Sequence, residues 1–157
     1  MAVLQVGDLA PEFTLVSTDK KEVSLSEYKG KNVLILFFPF AFTGVCTKEV
    51  CMMRDDIANY QNVNAEVLAI SVDSPFTLIK FKEEYQLNFT VLSDFNKIAS
   101  KAYGCLHEEF ALGLKGVSKR SAFVVNGEGI IKYQEILEIP SSLPNFEAIN
   151  DVLSKLK

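Results

Sequence analysis

The sequence predicts an α/β fold: a mixed central sheet flanked by helices, with an N-terminal hairpin in front of it. Three observations lead there. Residues 33–38 are an unbroken apolar run, as a strand buried on both faces requires, and the largely apolar 65–72 reads as a second buried strand. Each is followed by apolar residues at three- and four-residue steps, the period of a helix. Near the C-terminus, Asn126-Gly127-Glu128-Gly129 joins two further strand-like runs and reads as a hairpin turn.

The elements follow in order. Residues 7–11 form an opening turn. Residues 13–16 and 23–25 read as strands, with Asp19-Lys20-Lys21 as the turn between them. Residues 26–30 look like one helical turn stopped by Gly30. Pro39 stops the strand 33–38, and Thr43-Gly44 marks a short loop. From Cys46 onward Val50, Met53, Ile57 and Tyr60 keep helical spacing. After the strand 65–72, Ser74 is placed to cap a helix with Pro75 in its first position, and Phe76, Ile79, Phe81 and Tyr85 lie along it. A short strand at 90–92, a helix over 94–103 and a glycine-spaced loop over 104–118 come next. Residues 121–125 and 130–136 are the hairpin strands. Pro140 and Pro144 break the chain, and 144–157 is a closing amphipathic helix. No repeat or linker divides the sequence, and 157 residues suit one domain over 1–157.

Composition excludes several function classes. A net charge of −4, with no basic run longer than Lys20-Lys21, argues against a nucleic-acid partner. The apolar runs are too short to span a bilayer, so no membrane role is expected. The N-terminal residues lack the charged and apolar regions of a signal peptide, which predicts a cytoplasmic protein. Three cysteines in a reducing compartment are reactive or buried thiols rather than a disulfide framework.

Cys46 is the focus. It sits where a loop meets the first turn of a helix, at the C-terminal end of a buried strand. Unpaired backbone N–H groups and the helix dipole gather there, favour a thiolate and make it nucleophilic. Thr43, three residues earlier, can turn its hydroxyl toward the sulfur, and Pro39 stiffens the loop and shields it. Glu49 reads either as an acidic residue that complements the dipole or as part of the site. Arg120 opens an apolar strand; it is either an exposed strand end or a fixed cation that stabilises the thiolate and polarises an oxygen. Cys51 is either an inward-packed helix residue or a second reactive thiol. Zinc is disfavoured, since only Cys105 and His107 remain as further ligands of the cysteine/histidine type. Cys105 is expected to be a passive thiol, with a resolving role as the alternative. His107 reads as a surface or loop residue without a role. Phe37 is expected in the core, and Phe40 and Phe42 either in the core or at a dimer contact.

Helix geometry constrains the cysteine pair. Five residues advance a helix by about 7.5 Å and turn it by about 140°, which puts the two Cα atoms roughly 8.7 Å apart. A disulfide needs them within about 7 Å. Cys46 and Cys51 therefore cannot bond unless the first turn unwinds, over residues 43–51.

The run Pro39-Phe40-Ala41-Phe42-Thr43-Gly44-Val45-Cys46 fits the Pro-x-x-x-Thr-x-x-Cys motif and resembles the peroxiredoxins. Lys119-Arg120-Ser121-Ala122-Phe123-Val124-Val125 looks like that family's second signature, and Gly7-Asp8-Leu9-Ala10-Pro11-Glu12-Phe13-Thr14-Leu15 and Phe37-Phe38-Pro39 also resemble it. The resemblance spans nearly the whole chain. It implies a thioredoxin-like fold and a thiol peroxidase. In it Cys46 is the peroxidatic cysteine, Pro39, Thr43 and Arg120 complete the site, and Glu49 matches a common acidic position. Cys51 is similar to the resolving cysteine of the bacterioferritin-comigratory (PrxQ-like) branch, whereas Ala41-Phe42-Thr43-Gly44-Val45 looks more like the AhpE branch. These branches imply a monomer or a homodimer. The implied chemistry reduces hydrogen peroxide and alkyl hydroperoxides, with thioredoxin or glutaredoxin as reductant and no metal or organic cofactor. The alternative is a non-enzymatic redox sensor or chaperone-like holdase built on the same Cys46. A thioredoxin-type oxidoreductase is disfavoured, since Cys-x-x-Cys is missing.

Overall fold

The computed structural model describes residues 3–156. Seven strands form one sheet: β1 (Thr14–Ser17), β2 (Glu22–Ser24), β3 (Asn32–Phe37), β4 (Ala65–Ser71), β5 (Thr90–Ser93), β6 (Ser121–Val125) and β7 (Ile131–Ile136). Their order is β2-β1-β5-β4-β3-β6-β7. β3, β4 and β5 are parallel, while β1 joins β5 and β6 joins β3 antiparallel. The sheet is mixed, as the sequence predicts.

β3 is central because it carries apolar side chains on both faces. Leu34, Leu36 and Phe38 enter one core, and Val33, Ile35 and Phe37 enter the other. The first core is covered by α1 (Gly44–Asn62), α2 (Pro75–Tyr85) and α4 (Phe146–Lys155), through residues such as Met53, Phe81 and Ile149. The second is covered by α3 (Ile98–Ala102), the N-terminal segment and Tyr103. Helices lie on both faces, but the long ones share one. Tyr103 fills the second core with its ring 5.0 Å from Phe123, and its hydroxyl donates to the Pro11 carbonyl at 2.7 Å.

Local chemistry sets the boundaries. Ser74 Oγ accepts the Thr77 N–H at 3.2 Å, and Pro75 occupies the first turn of α2. Leu78 and Phe81 form its buried face, while Phe76 is exposed. The helix predicted over 94–103 is shorter, and Asp94 is the reason. Its buried carboxylate accepts the N–H groups of Ala99 at 3.0 Å and Ser100 at 2.6 Å. It therefore acts ahead of α3 as an acceptor for that helix's free N–H groups, rather than as a helical residue. α4 starts at Phe146 instead of 144, because Asn145 Oδ1 accepts the Ala148 N–H at 3.0 Å and caps it. Residue 157, the last of that predicted helix, lies outside the described residues. In the β6–β7 turn Asn126 Oδ1 accepts from Glu128 and Ile130. Gly127 packs on the backbone of Gly30, where an added Cβ would come within 3.1 Å.

Replacing Asp94 by Ala leaves two buried N–H groups without acceptors. The expected loss is about 2 kcal/mol of folding stability, measured as a lower urea midpoint.

Candidate active site

The site assembles at the C-terminal edge of β3. Phe38 N–H still donates to the Ile70 carbonyl at 2.9 Å, and then Pro39 ends the ladder. The loop that follows is tied to a carboxylate just after β4, which is itself held in place. Ala41 N–H donates to Asp73 Oδ2 at 2.7 Å, and Ser71 Oγ donates to the same oxygen at 2.7 Å. Thr43 Oγ1 donates to the Phe40 carbonyl at 2.9 Å, and the Thr43 carbonyl accepts the Thr47 N–H at 2.9 Å. Thr43 is the N-cap position of α1, so the helix starts at Gly44, earlier than the spacing alone suggests.

Cys46 lies in the first turn and is only 1% exposed. Glu49 follows three residues later on the same inward face, with Val50 and Met53. Arg120 reaches them from the sheet. It precedes β6, where Ala122 and Val124 face the α1 side, and the two-residue alternation of a strand sends Arg120 the same way. Its Nη2 donates to Cys46 Sγ at 3.2 Å, and its Nη1 to Glu49 Oε1 at 2.6 Å. Nε and Nη2 donate to the Pro140 carbonyl at 3.3 and 3.1 Å. A pocket of about 310 Å³ opens over the sulfur, lined by Pro39, Thr43, Cys46, Phe110, Arg120 and Pro140.

The structure therefore brings Pro39, Thr43, Cys46, Glu49 and Arg120 together. At three positions the structure takes one of the alternatives that the sequence left open. Arg120 is buried, not an exposed strand end. Glu49 is not a solvated residue complementing the dipole; it lies beyond the first turn and is buried in an ion pair. His107 is in a loop but buried, with its ring 5.3 Å from Phe110. Burial, aided by Lys119, holds its pKa below the ordinary imidazole value. The Thr43 hydroxyl bonds the Phe40 carbonyl. Cys51 is half-buried farther along the same unbroken helix. Cys105 is fully buried in the second core, across the sheet from Cys46. Burial there pushes its thiol up to about 12, against a lowering hydrogen bond from Ser121. Phe37 is core, as expected; Phe40 meets Phe110 beside the pocket at 5.9 Å. The Pro140 carbonyl and the Asp73 tether were not legible, because a backbone acceptor and a loop anchor carry no motif. No group of three or more potential metal ligands occurs among the described residues.

Electrostatics at the centre is one cation shared by two acids. Burial works against the Arg120 charge, yet Glu49 and Cys46 hold its pKa above the ordinary arginine value. Burial pushes the Glu49 carboxyl from 4.5 up to about 7, although Arg120 pulls it down. The folded chain thus keeps a proton that the unfolded chain releases between these values. Glu49's share of the stability accordingly falls as pH rises from 4.5 to about 7. Replacing Glu49 by Gln should flatten this slope, by up to about 3 kcal/mol between pH 5 and pH 8 in urea titrations. Equal slopes in the two proteins would show that the carboxyl titrates at its ordinary value.

Comparison with known proteins identifies the family and the fold. Residues 6–134 match the AhpC/TSA family. The chain is 37% identical over 157 residues to alkyl hydroperoxide reductase E of Mycobacterium tuberculosis, covering 98% of this chain and 99% of that one. It is 35% identical over 135 residues to peroxiredoxin Bcp of Escherichia coli, covering 85% and 86%. Among solved structures, a peroxiredoxin-like protein from Aquifex aeolicus superposes with a TM-score of 0.90 at 29% identity, over 100% of this chain and 90% of that one. The fold is thioredoxin-like, and the chain belongs to the AhpC/TSA family of peroxiredoxins, the thiol-dependent peroxidases.

Proposed function

We propose that this peroxidase reduces hydrogen peroxide and alkyl hydroperoxides through a sulfenic acid on Cys46, which Cys51 resolves as an intramolecular disulfide. The observation that carries the reading is the Arg120 guanidinium 3.2 Å from Cys46 Sγ, at the floor of an open pocket. A hydroperoxide entering this pocket meets three groups. The Cys46 thiolate attacks the near oxygen. The Thr43 oxygen, whose own proton is committed to Phe40, accepts from the peroxide O–H. Arg120 donates to the far oxygen and stabilises the charge that develops there as the O–O bond breaks. That oxygen takes up a proton and leaves as water or alcohol, and Cys46 keeps the near oxygen as sulfenic acid. Pro39 and Phe110 wall the pocket and limit water.

Cys51 then attacks the sulfenic sulfur, forming the disulfide and releasing water. Both cysteines lie within α1, so the first turn of the helix must unwind for the sulfurs to meet. Cys105 is poorly suited to this role, being buried across the sheet with a raised pKa. A dithiol protein of the thioredoxin or glutaredoxin type returns the disulfide to two thiols by exchange. The cytoplasm, where such reductants keep thiols reduced, fits three free cysteines. Every group named belongs to one chain, so the scheme serves a monomer or a homodimer.

Peroxide consumption coupled to thioredoxin and its reductase tests the scheme. Replacing Cys46 by Ser abolishes turnover. Replacing Cys51 by Ser leaves the first oxidation intact but stops thioredoxin-linked recycling; retained recycling would assign resolution to another thiol. Replacing Arg120 by Lys slows the first oxidation on the order of 100-fold, since a point charge cannot serve sulfur, Glu49 and Pro140 together. Stoichiometric peroxide lowers the helical circular dichroism signal, and dithiothreitol restores it. An unchanged signal with a mass-proven disulfide would contradict unwinding.

A further inference from the structure

Phe42 has a conformation that bulky residues rarely adopt. Its φ is 67°, in the left-handed region, and it directly precedes Thr43, the N-cap position of α1. Its ring is nearly half exposed, yet packs edge-on against Phe81 of α2 at 5.0 Å and meets Tyr85 at 6.3 Å. Phe81 is fully buried and stacks in turn on Phe38 and Tyr85, at 5.9 and 5.4 Å. The backbone strain is thus held by ring packing against a rigid helix.

The other end of the reactive segment is fixed differently. Arg54 Nη1 donates to the Tyr85 carbonyl at 2.6 Å, and Asn88 Nδ2 donates to the Arg54 carbonyl at 3.2 Å. These bonds staple α1 to the end of α2 one turn after Cys51. With that end fixed, unwinding that brings Cys46 to Cys51 starts from the N-terminal side, where the Phe42 ring packs on Phe81 and Tyr85.

We infer that Phe42 is a latch: its ring on Phe81 and Tyr85 holds the first turn of α1 closed, and its release sets the rate at which Cys46 reaches Cys51. This rests on the reading that Cys51 resolves Cys46. The step timed is the condensation of Cys46–SOH with Cys51–SH to Cys46–S–S–Cys51 and water, in which the Cys46 sulfur is reduced and the Cys51 sulfur oxidised. Its competitor is attack on a second hydroperoxide molecule, which gives Cys46 sulfinic acid and water or alcohol. A tight latch lengthens the life of the sulfenic acid and raises the sulfinic share. The left-handed backbone acts in the opposite sense, because its strain is relieved on opening.

Two measurements test the latch in the full chain. The first is amide exchange at Thr47, whose N–H bonds the Thr43 carbonyl, in the reduced protein. Replacing Phe42 by Ala removes the ring and keeps the strained backbone, so exchange should quicken about tenfold. Phe42→Gly also removes the strain and should fall between the Ala variant and the unaltered chain. Tyr85→Ala, which weakens the other side of the contact, should shift exchange in the same direction and serves if Phe42 variants fold poorly. The second measurement is the rate of disulfide formation after one equivalent of hydrogen peroxide, read by mass spectrometry. It should rise in step with exchange, with less sulfinic acid at high peroxide and an unchanged rate of first oxidation. Unchanged exchange in Phe42→Ala overturns the latch. Faster exchange without faster disulfide formation overturns its control of resolution. If the unaltered chain forms no Cys46–Cys51 disulfide at all, the resolving role of Cys51 falls, and the exchange result alone still judges the latch.

Discussion

The site depends on one buried guanidinium. Arg120 is withdrawn from water and must find partners for its donors in the protein, or its burial would be prohibitive. It finds three: the Cys46 sulfur, the Glu49 carboxyl and the Pro140 carbonyl. The cation and its partners come from three parts of the chain. Cys46 and Glu49 come from one face of α1, Arg120 from the approach to β6, and Pro140 from the segment after β7. The interaction that positions Cys46 is therefore also one that joins the helix layer to the sheet, and a change in either should register in both.

The same cation bears on the protonation of Glu49. Arg120 is shared between the Cys46 sulfur and the Glu49 carboxyl, so neither has its charge alone. Burial shifts the balance by pushing the carboxyl up to about 7. A protonated Glu49 still presents a carboxyl oxygen to Arg120 while leaving the full positive charge to the sulfur. Its other oxygen, Oε2, is buried without a protein partner, a position in which a negative charge is costly and a neutral carboxyl much less so.

The sequence carried much of this arrangement because the site is built from periodic patterns. The unbroken apolar run of β3 marked the central strand. Three- and four-residue steps through Val50, Met53, Ile57 and Tyr60 marked the helix that begins beside Cys46, and the apolar run after Arg120 marked β6. Motif resemblance named Cys46, Thr43, Pro39 and Arg120 together, and the fold brings them to one pocket. What it did not carry has common causes. Glu49 looks like any acidic residue near a helix start until its burial is known. Asp94 replaces part of a predicted helix because a side-chain acceptor competed with the backbone. The burial of His107 follows from a loop folding over its own side chain, which no periodicity records.

In the proposed cycle the first turn of α1 faces conflicting demands, and the chemistry itself offers a way between them. Before reaction the turn must be closed, so that Cys46, Thr43 and Arg120 surround the peroxide. After reaction, in the proposed scheme, it must open toward Cys51. The contact between Arg120 and a thiolate is charge-assisted, roughly twice as strong as a neutral hydrogen bond. Forming the sulfenic acid puts an oxygen on the sulfur and takes the thiolate charge off it, so the first oxidation weakens the direct hold of Arg120 on the sulfur at the moment when release becomes useful. The Asp73 tether at Ala41 and the staple at Arg54 do not change with the sulfur's oxidation state. Loosening is thereby confined to the segment between them, which carries both Cys46 and Cys51. The sheet, the second core and the remainder of α1 need not move for the cycle to proceed.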